Sequence, residues 1–143
     1  MTEASAQSTA TMTIGALSAA TGCKIETIRY YEKIGLLPAP GRTAGGFRVY
    51  AEEHRRRLAF IRHGRDLGLS IDAIRELLGL ASDRRRSCAR IDRIVEEHLV
   101  EIEAKIAGLS QLRDQLRALA SRCRGGLTVA ECQVLDALAG PDA

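Results

Sequence analysis

The chain has 143 residues, of which 45% are apolar and 27% are charged, and its formal net charge is +3. This balance is typical of a soluble, folded protein of one or two small domains. No segment has the length of a membrane span or the pattern of a secretory signal peptide, so we expect a cytoplasmic protein with no membrane partner. Aromatic residues amount to only 3%, and the apolar set is mostly Leu, Ile and Ala, which favours helices over sheets.

The first part of the chain predicts a helix-turn-helix unit after a tail. Residues 1–12 are small, polar and aperiodic, which is typical of a disordered tail. The stretch TIGALSAATG predicts a helix with Thr13 as its N-cap and Gly22 in the turn that follows. In KIETIRYYEKIGLL, Ile25 and Ile28 recur at helical spacing. Two short helices joined by a tight turn form a helix-turn-helix.

A small hairpin and two more helices complete the predicted domain. The stretch PAPGRTAGGFRVY is rich in Pro and Gly and predicts a β-hairpin that turns at Gly45-Gly46, which would be the wing of a winged helix-turn-helix. A basic helix is predicted over 52–67, and Ser70 caps another that runs to Leu80. Residues 13–80 are therefore expected to form one domain.

Positive charge is concentrated in this domain. Residues 24–65 contain 10 Lys and Arg against 4 Asp and Glu, whereas residues 81–143 contain 10 of each class. Such a local excess indicates either a polyanionic partner, most simply nucleic acid, or a basic face that is only solvated.

The second half predicts one long helix, over 88–122, after a polar connector at 81–87. Its apolar stripe advances alternately by three and four residues, which is typical of a coiled coil and hence of a dimer. The stripe consists of positions 88, 91, 95, 98, 102, 105, 109, 112, 116, 119 and 123. His98 and Lys105 interrupt it, and the neighbouring Leu99 and Ile106 offer alternative packing residues. Residues 123–139 are predicted to be a loop and a short helix that carries Cys132, and residues 140–143 are a tail.

Three cysteines lie near the ends of the long helix. Cys88 and Cys123 are separated by about 50 Å of helix, so they cannot share an ion within one chain. In an antiparallel pair, Cys88 of one chain meets Cys123 of the other, and the turn at Gly125-Gly126 brings Cys132 to the same end. Three thiolates at one point suit a soft divalent ion. The alternative is that these cysteines are small apolar residues of the coiled coil.

The chain resembles the MerR family of bacterial transcription regulators over residues 13–139. The motifs that carry the resemblance are TIGALSAATGCKIETIRYYEKIGLLPAPGRTAGGFRVY, FIRHGRDLGLSIDAIRELL, SCARIDRIVEEH and SRCRGGLTVAEC. The last two are similar to the metal-sensing branch, above all to cadmium, lead and mercury regulators. The resemblance implies a mainly α fold, with a winged helix-turn-helix domain, a long antiparallel coiled-coil helix and a short C-terminal metal-binding loop and helix. It also implies a homodimer that represses a metal-resistance promoter and, once it binds metal, distorts the double-stranded DNA so that RNA polymerase transcribes it.

The resemblance implies site residues as well. The residues expected to face DNA are Thr27, Arg29 and Tyr30 on the second helix, Arg42, Arg48 and Tyr50 in the wing, and Arg62 on the next helix. One of the adjacent Tyr30 and Tyr31 is expected to pack in the core. Each subunit would bind one divalent soft metal ion, cadmium, lead or mercury with zinc as a further candidate, through Cys88 of one chain and Cys123 and Cys132 of the other.

Differences from other branches of the family narrow the choice of metal. Copper(I) regulators lack the equivalent of Cys88, and zinc regulators have a second cysteine where this chain has Arg124.

The alternative function is that of a family member that senses redox state or a small organic effector and whose cysteines are structural. An enzyme is not expected, because the sequence has neither a paired acid and base constellation nor a phosphate-binding loop. Cys23, with no other thiol nearby in sequence, is interpreted as structural.

Overall fold

The computed structural model describes residues 10–122, 125 and 128–140 of the chain. It divides the chain into two compact units, residues 1–87 and residues 88–143, called here the N-terminal and C-terminal units. The N-terminal unit contains α1 Ile14–Thr21, α2 Ile25–Lys33, β1 Gly41–Arg42, β2 Arg48–Val49, α3 Glu52–Asp66 and α4 Ile71–Ala81. The C-terminal unit contains α5 Ala89–Arg122, a 3-10 turn Val129–Glu131 and α6 Gln133–Ala139. The predicted mainly helical fold, with a helix-turn-helix, a wing and one long helix, is confirmed.

The caps of α1 form as their side chains predict. The Thr13 hydroxyl accepts a hydrogen bond from the Ala16 amide at 3.1 Å. Gly22 adopts φ +73°, and its amide donates to the Ser18 carbonyl at 2.8 Å. A left-handed residue at this point turns the chain sharply into α2. The sequence of the turn therefore fixes how the two helices of the helix-turn-helix meet.

The core of the N-terminal unit contains side chains from all four of its helices. Its largest fully buried side chains are Tyr50, Leu17, Ile28, Leu36, Leu37, Leu58, Ile61 and Ile74. Met12, at the end of the predicted tail 1–12, is paired with Tyr50: each backbone amide donates to the other residue's carbonyl at 2.8 Å. The two-residue hairpin of β1 and β2 thereby gains a third stretch of paired backbone.

Helices α3 and α4 approach each other closely at a glycine. Gly64 of α3 is buried, and a Cβ atom built on it would lie 2.9 Å from Cγ1 of Ile74 on α4. An atom at that distance forces Ile74 or the helix backbone to shift, because buried side chains are close-packed. The sequence position therefore requires the absence of a side chain.

We expect the Gly64→Ala substitution to destabilise the protein by about 1–2 kcal/mol, since overpacking outweighs the gain in helix propensity. The matched control is Gly79→Ala on α4, where an added Cβ would meet nothing within 4 Å. That variant gains helix propensity alone, about 0.5–1 kcal/mol. Urea unfolding followed by circular dichroism at fixed protein concentration measures both. A Gly64→Ala protein as stable as Gly79→Ala would contradict the close contact.

The C-terminal unit is built on α5, a helix of 34 residues against which α6 packs. At about 1.5 Å per residue, α5 is about 50 Å long. Charged residues recur along its whole length, and within the described residues no helix combines the length and the apolarity needed to cross a membrane.

Candidate nucleic-acid interface and metal ligands

Helix α2 presents two different faces. Ile28 and Tyr31 are buried in the core, which confirms that one of the two adjacent tyrosines packs inside. Arg29 is exposed, and 49% of Tyr30 is exposed. Lys33 is also exposed and lies one turn beyond them, four residues after Arg29. Lys33 was not among the expected DNA-facing residues, although helical spacing alone places it on the same face as Arg29.

Thr27 lies at the border between the two faces of α2. It is half-buried, whereas the neighbouring Lys24 and Glu26 are exposed. A half-buried threonine presents one edge of its side chain to solvent. Any contact of Thr27 with DNA is therefore made by that edge, beside the more exposed Arg29 and Tyr30.

The wing is a short antiparallel hairpin. Gly41 pairs with Val49 and Arg42 pairs with Arg48. Its turn is closed by a hydrogen bond from the Gly46 amide to the Thr43 carbonyl at 2.9 Å, and Gly46 adopts φ +86°, which favours glycine.

The side chains of the wing differ in their exposure and in their hydrogen bonds to the protein. Arg42 is exposed but donates from Nη1 to the Gly46 carbonyl at 2.8 Å, which ties it to the turn. Phe47 is 74% exposed, at the end of the turn. It is a second residue that the sequence interpretation left out, although its place beside Arg48 in the wing would have signalled it. The wing therefore offers an aromatic ring as well as two guanidinium groups.

Arg48 and Tyr50 both bind one carboxylate of α2. Arg48 Nη1 donates to Glu32 Oε2 at 3.2 Å, and the Tyr50 hydroxyl donates to Glu32 Oε1. Burial and the hydrogen bond to Glu32 raise the pKa of Tyr50, so its hydroxyl remains a donor at neutral pH. Because Tyr50 is fully buried, the structure gives it a structural contact where the sequence predicted a DNA-facing one. Through Glu32 and Met12, Tyr50 supports the wing.

Arg62, the last expected DNA contact, also has an intramolecular partner. Its Nη1 donates to the Thr21 carbonyl at 2.9 Å, and its Nε lies 3.7 Å from Asp66 Oδ2. The guanidinium packs over Gly22, where a Cβ atom would lie 1.9 Å from Nη1. Arg62 therefore caps the C-terminal end of α1, and its side chain remains 41% exposed.

Several other arginines of the basic region also donate to protein groups. Arg57 donates to the Leu36 carbonyl at 2.8 Å, and Arg65 donates to the Leu69 carbonyl at 2.8 Å. Arg55 forms an ion pair with Glu52. Part of the basic excess therefore stabilises loops and helix ends, whereas Arg29 and Lys33 on α2 and Arg42 in the wing are exposed.

Of the three cysteines expected to bind metal, the structure describes Cys88 and Cys132, and they differ in exposure. Cys88 is exposed and directly precedes α5, with its Sγ 3.7 Å from Asp92 Oδ2. Cys132 is half-buried between the 3-10 turn Val129–Glu131 and α6. The sequence predicted it within the short helix itself, whereas in the structure it follows the 3-10 turn and is the N-cap residue of α6. Cys123 lies outside the described residues.

No group of three or more His, Cys, Asp and Glu side chains within the described parts of the chain is arranged to hold a metal ion. Cys88 stands at one end of α5, and the 3-10 turn and α6 follow its other end. Cys23 is buried in the N-terminal unit, and its carbonyl accepts a hydrogen bond from the Ser18 hydroxyl.

An apolar stripe on α5 is not covered by any part of the chain that the structure describes. Six large side chains of this stripe are each more than half exposed: Val95, Leu99, Ile106, Leu109, Leu112 and Leu116. Leu99 and Ile106 take the places where His98 and Lys105 interrupt the heptads. The side chain of His98 is only 17% exposed and lies 3.6 Å from Glu101. The stripe is thus continuous in leucine, isoleucine and valine.

Two family models match the chain. One, described as MerR HTH family regulatory protein, matches residues 12–80, and the other, described as MerR, DNA binding, matches residues 55–119. The HTH-type transcriptional regulator ZntR homolog of Haemophilus influenzae is 46% identical over 105 residues, which cover 73% of this chain and 78% of that protein.

Solved structures are similar over nearly the whole chain. PbrR691 from Ralstonia metallidurans in complex with lead(II) is 37% identical, with a TM-score of 0.77, and the match covers 89% of this chain and 98% of that one. MerR from Bacillus megaterium in complex with mercury(II) is 29% identical, with a TM-score of 0.68 and coverage of 90% and 99%. With its motifs, its fold and these matches in agreement, the chain belongs to the MerR family of HTH regulatory proteins.

Proposed function

We propose that this chain is a metal-responsive transcriptional regulator. It acts as a homodimer at a metal-resistance promoter, represses it without metal, and activates RNA polymerase there when each subunit holds one soft divalent ion. The observation that carries the proposal is the exposed face of α2, with Arg29, Tyr30 and Lys33, beside the wing with Arg48. The lead and mercury complexes of similar proteins support the choice of signal. These relatives give no support to the alternative of redox or organic-effector sensing.

DNA binding follows from the shape and charge of this face. An α-helix fits the major groove of B-form DNA, and its exposed arginine and lysine meet base edges or phosphates. The wing adds an aromatic ring and two guanidinium groups beside the helix.

Dimerisation follows from the uncovered stripe of α5. A row of exposed leucine, isoleucine and valine side chains along a helix of 34 residues is stable in water only when another surface covers it. A second copy in the antiparallel direction presents the same stripe in return. The two DNA-binding faces then belong to one particle and bind two half-sites of a pseudo-palindromic promoter.

The donor set fits a soft ion. Cys88 is exposed and Cys132 is half-buried, so both thiols are accessible to a metal ion, and thiolates prefer cadmium, lead, mercury and zinc over magnesium or calcium. In the antiparallel dimer, Cys88 of one subunit is joined with Cys123 and Cys132 of the other at each end of the coiled coil. Three thiolates with a divalent ion leave one negative charge, which the arginines at 122 and 124 are placed in sequence to offset. A bound ion would supply a bond that ties the two subunits together at that end.

The output is a change in the population of two dimer states. One state leaves the promoter as it is, and the other bends and untwists the DNA between the recognition elements of RNA polymerase. Moving a population from 1:99 to 99:1 takes about 5.5 kcal/mol of differential affinity. A shared thiolate site at each end of the dimer is of the right kind to supply that difference, because metal–thiolate binding is strong.

The DNA-binding part of the proposal is tested with Arg29→Ala. We expect about tenfold to 100-fold weaker binding to a duplex that the wild-type protein selects from a random-sequence pool, since a good base or phosphate contact contributes about 1–3 kcal/mol. The control is Arg117→Ala, which removes the same charge from an exposed position of α5. Fluorescence anisotropy at several salt concentrations measures both variants. Equal affinities for Arg29→Ala and Arg117→Ala would refute the proposed face.

A further inference from the structure

Glu32 is the carboxylate that joins helix α2 to the wing. Only 11% of its side chain is exposed. Its Oε2 accepts from Arg48 Nη1 at 3.2 Å and its Oε1 accepts from the Tyr50 hydroxyl, so both oxygens hold side chains of the wing segment. Glu32 itself lies one turn after Arg29, on the helix that presents the DNA-facing residues.

The wing depends on such outside contacts for its orientation. Its ladder consists of only two residue pairs, and an isolated two-stranded hairpin is at best marginally stable in water. Tyr50 is anchored from behind: its backbone pairs with Met12, and its ring packs edge-on against His54, with centroids 5.4 Å apart. Arg48 lies nearer the turn, and Glu32 is the contact that fixes its guanidinium.

Arg48 has donors left over for DNA. A guanidinium has five N–H groups, and the ion pair with Glu32 uses Nη1. Its side chain is 36% exposed, so the remaining edge is accessible. We infer that Glu32 is a positioning residue for DNA binding, which holds Arg48 in the one orientation where its free edge meets the duplex together with Arg29 and Tyr30 of α2. This inference rests on the proposed function.

The direction in which neutralising Glu32 changes specific DNA affinity distinguishes a positioning role from a purely electrostatic one. Glu32 is a negative charge beside a surface for a polyanion, so its neutralisation should strengthen DNA binding if charge alone mattered. Positioning predicts the opposite for specific binding. A loosened Arg48 loses its defined contact but keeps its charge, so non-specific binding should stay equal or become stronger. The ratio of specific to non-specific affinity is therefore the quantity that falls.

The experiment compares Glu32→Gln with Glu53→Gln, which removes the same charge from an exposed position of α3 in the same unit. The probes are the duplex that the wild-type protein selects from a random pool and a scrambled duplex of equal composition. We expect Glu32→Gln to bind the selected duplex about tenfold more weakly and the scrambled duplex no more weakly than wild type, as one lost base or phosphate contact implies. Glu53→Gln should keep the wild-type ratio.

Two further variants show whether Glu32 acts through Arg48. In an Arg48→Ala background, Glu32→Gln should have no additional effect, because coupled residues are non-additive in a double-mutant cycle. Glu32→Asp keeps the charge but shortens the side chain, and it should lower the ratio as well; it also serves if Glu32→Gln fails to fold. Stronger specific binding by Glu32→Gln, or an equal loss with and without Arg48, would overturn the inference alone. Absence of selective binding by the wild-type protein would overturn the proposed function and this inference with it.

Discussion

Changing Cys88 to serine abolishes metal-induced transcription while DNA affinity stays within about twofold of wild type. A serine hydroxyl is a poor ligand for a soft ion, so the site retains two thiolates where three are needed. We expect metal affinity to fall by more than about 100-fold, because even residues that only orient a ligand contribute about 10–100-fold. DNA affinity is preserved because Cys88 lies at the start of α5, outside the elements that form the DNA-binding face.

Mixed dimers test whether the site is shared between chains. A Cys88→Ser chain and a Cys132→Ser chain each lack a ligand, so neither homodimer should bind the ion tightly. In the mixed dimer one end keeps Cys88 of the second chain beside Cys123 and Cys132 of the first. That end is complete, and we expect one ion per mixed dimer, against two per wild-type dimer. The measurement is metal titration of two differently tagged, co-purified chains, followed through the thiolate charge-transfer absorption.

The control for this experiment is the Cys23→Ser homodimer, which carries the same substitution as Cys88→Ser at a cysteine that is not expected to bind metal. Cys23 is buried within the N-terminal unit, so its substitution leaves the number of bound ions at two per homodimer. A mixed dimer that binds no ion would contradict a site shared between chains. Full induction by the Cys88→Ser homodimer would contradict a third thiolate altogether.

Local signals in the sequence predicted most of the fold. Thr13, Gly22 and Ser70 act as caps because each satisfies or redirects backbone groups only a few residues away. The long helix was predicted because its pattern repeats over many turns, and α5 runs over Ala89–Arg122. Such signals depend on neighbours along the chain, so a single sequence contains them.

The roles of individual side chains in the candidate site were harder to predict. Tyr50 and Arg62 both occur in motifs of DNA-binding elements, yet Tyr50 binds Glu32, 18 residues away, and Arg62 binds the Thr21 carbonyl, 41 residues away. Such partners are chosen by the packing of distant elements. A basic count treats every arginine alike, although Arg57 and Arg65 are bound to backbone carbonyls. The charge pattern therefore cannot distinguish arginines that bind backbone carbonyls from arginines whose guanidinium groups are exposed.

The heptad pattern predicted the apolar stripe on α5 only in part, and the structure supplies the rest. The heptad count alone placed His98 and Lys105 on the stripe as interruptions. In the structure Leu99 and Ile106 are more than half exposed, and they continue the row formed by Val95, Leu109 and others. A helix of 3.6 residues per turn drifts against a 3.5-residue repeat, so neighbouring positions alternate as contact residues over such a length.

The Leu112→Asp substitution separates the subunits. In the antiparallel register that pairs Cys88 with Cys123, Leu112 of one subunit faces Leu99 of the other, and symmetry places the aspartate twice in the interface. An unpaired charge in an apolar interface costs several kcal/mol per ion, so we expect the dimer dissociation constant to rise by at least about 1000-fold. Specific DNA binding falls with it, because a single winged domain binds one half-site without the avidity of the second.

The matched control is Gln111→Asp, which introduces the same side chain at an exposed position of α5 on the side away from the stripe. Sedimentation velocity over a range of protein concentrations gives the dissociation constants, and anisotropy with the selected duplex gives the DNA affinities. Gln111→Asp should behave as wild type in both. A Leu112→Asp protein that stays dimeric at micromolar concentration would show that another surface holds the subunits together. The shared thiolate site would then lose its geometric basis, because Cys88 meets Cys123 only if the two copies of α5 pack along this stripe.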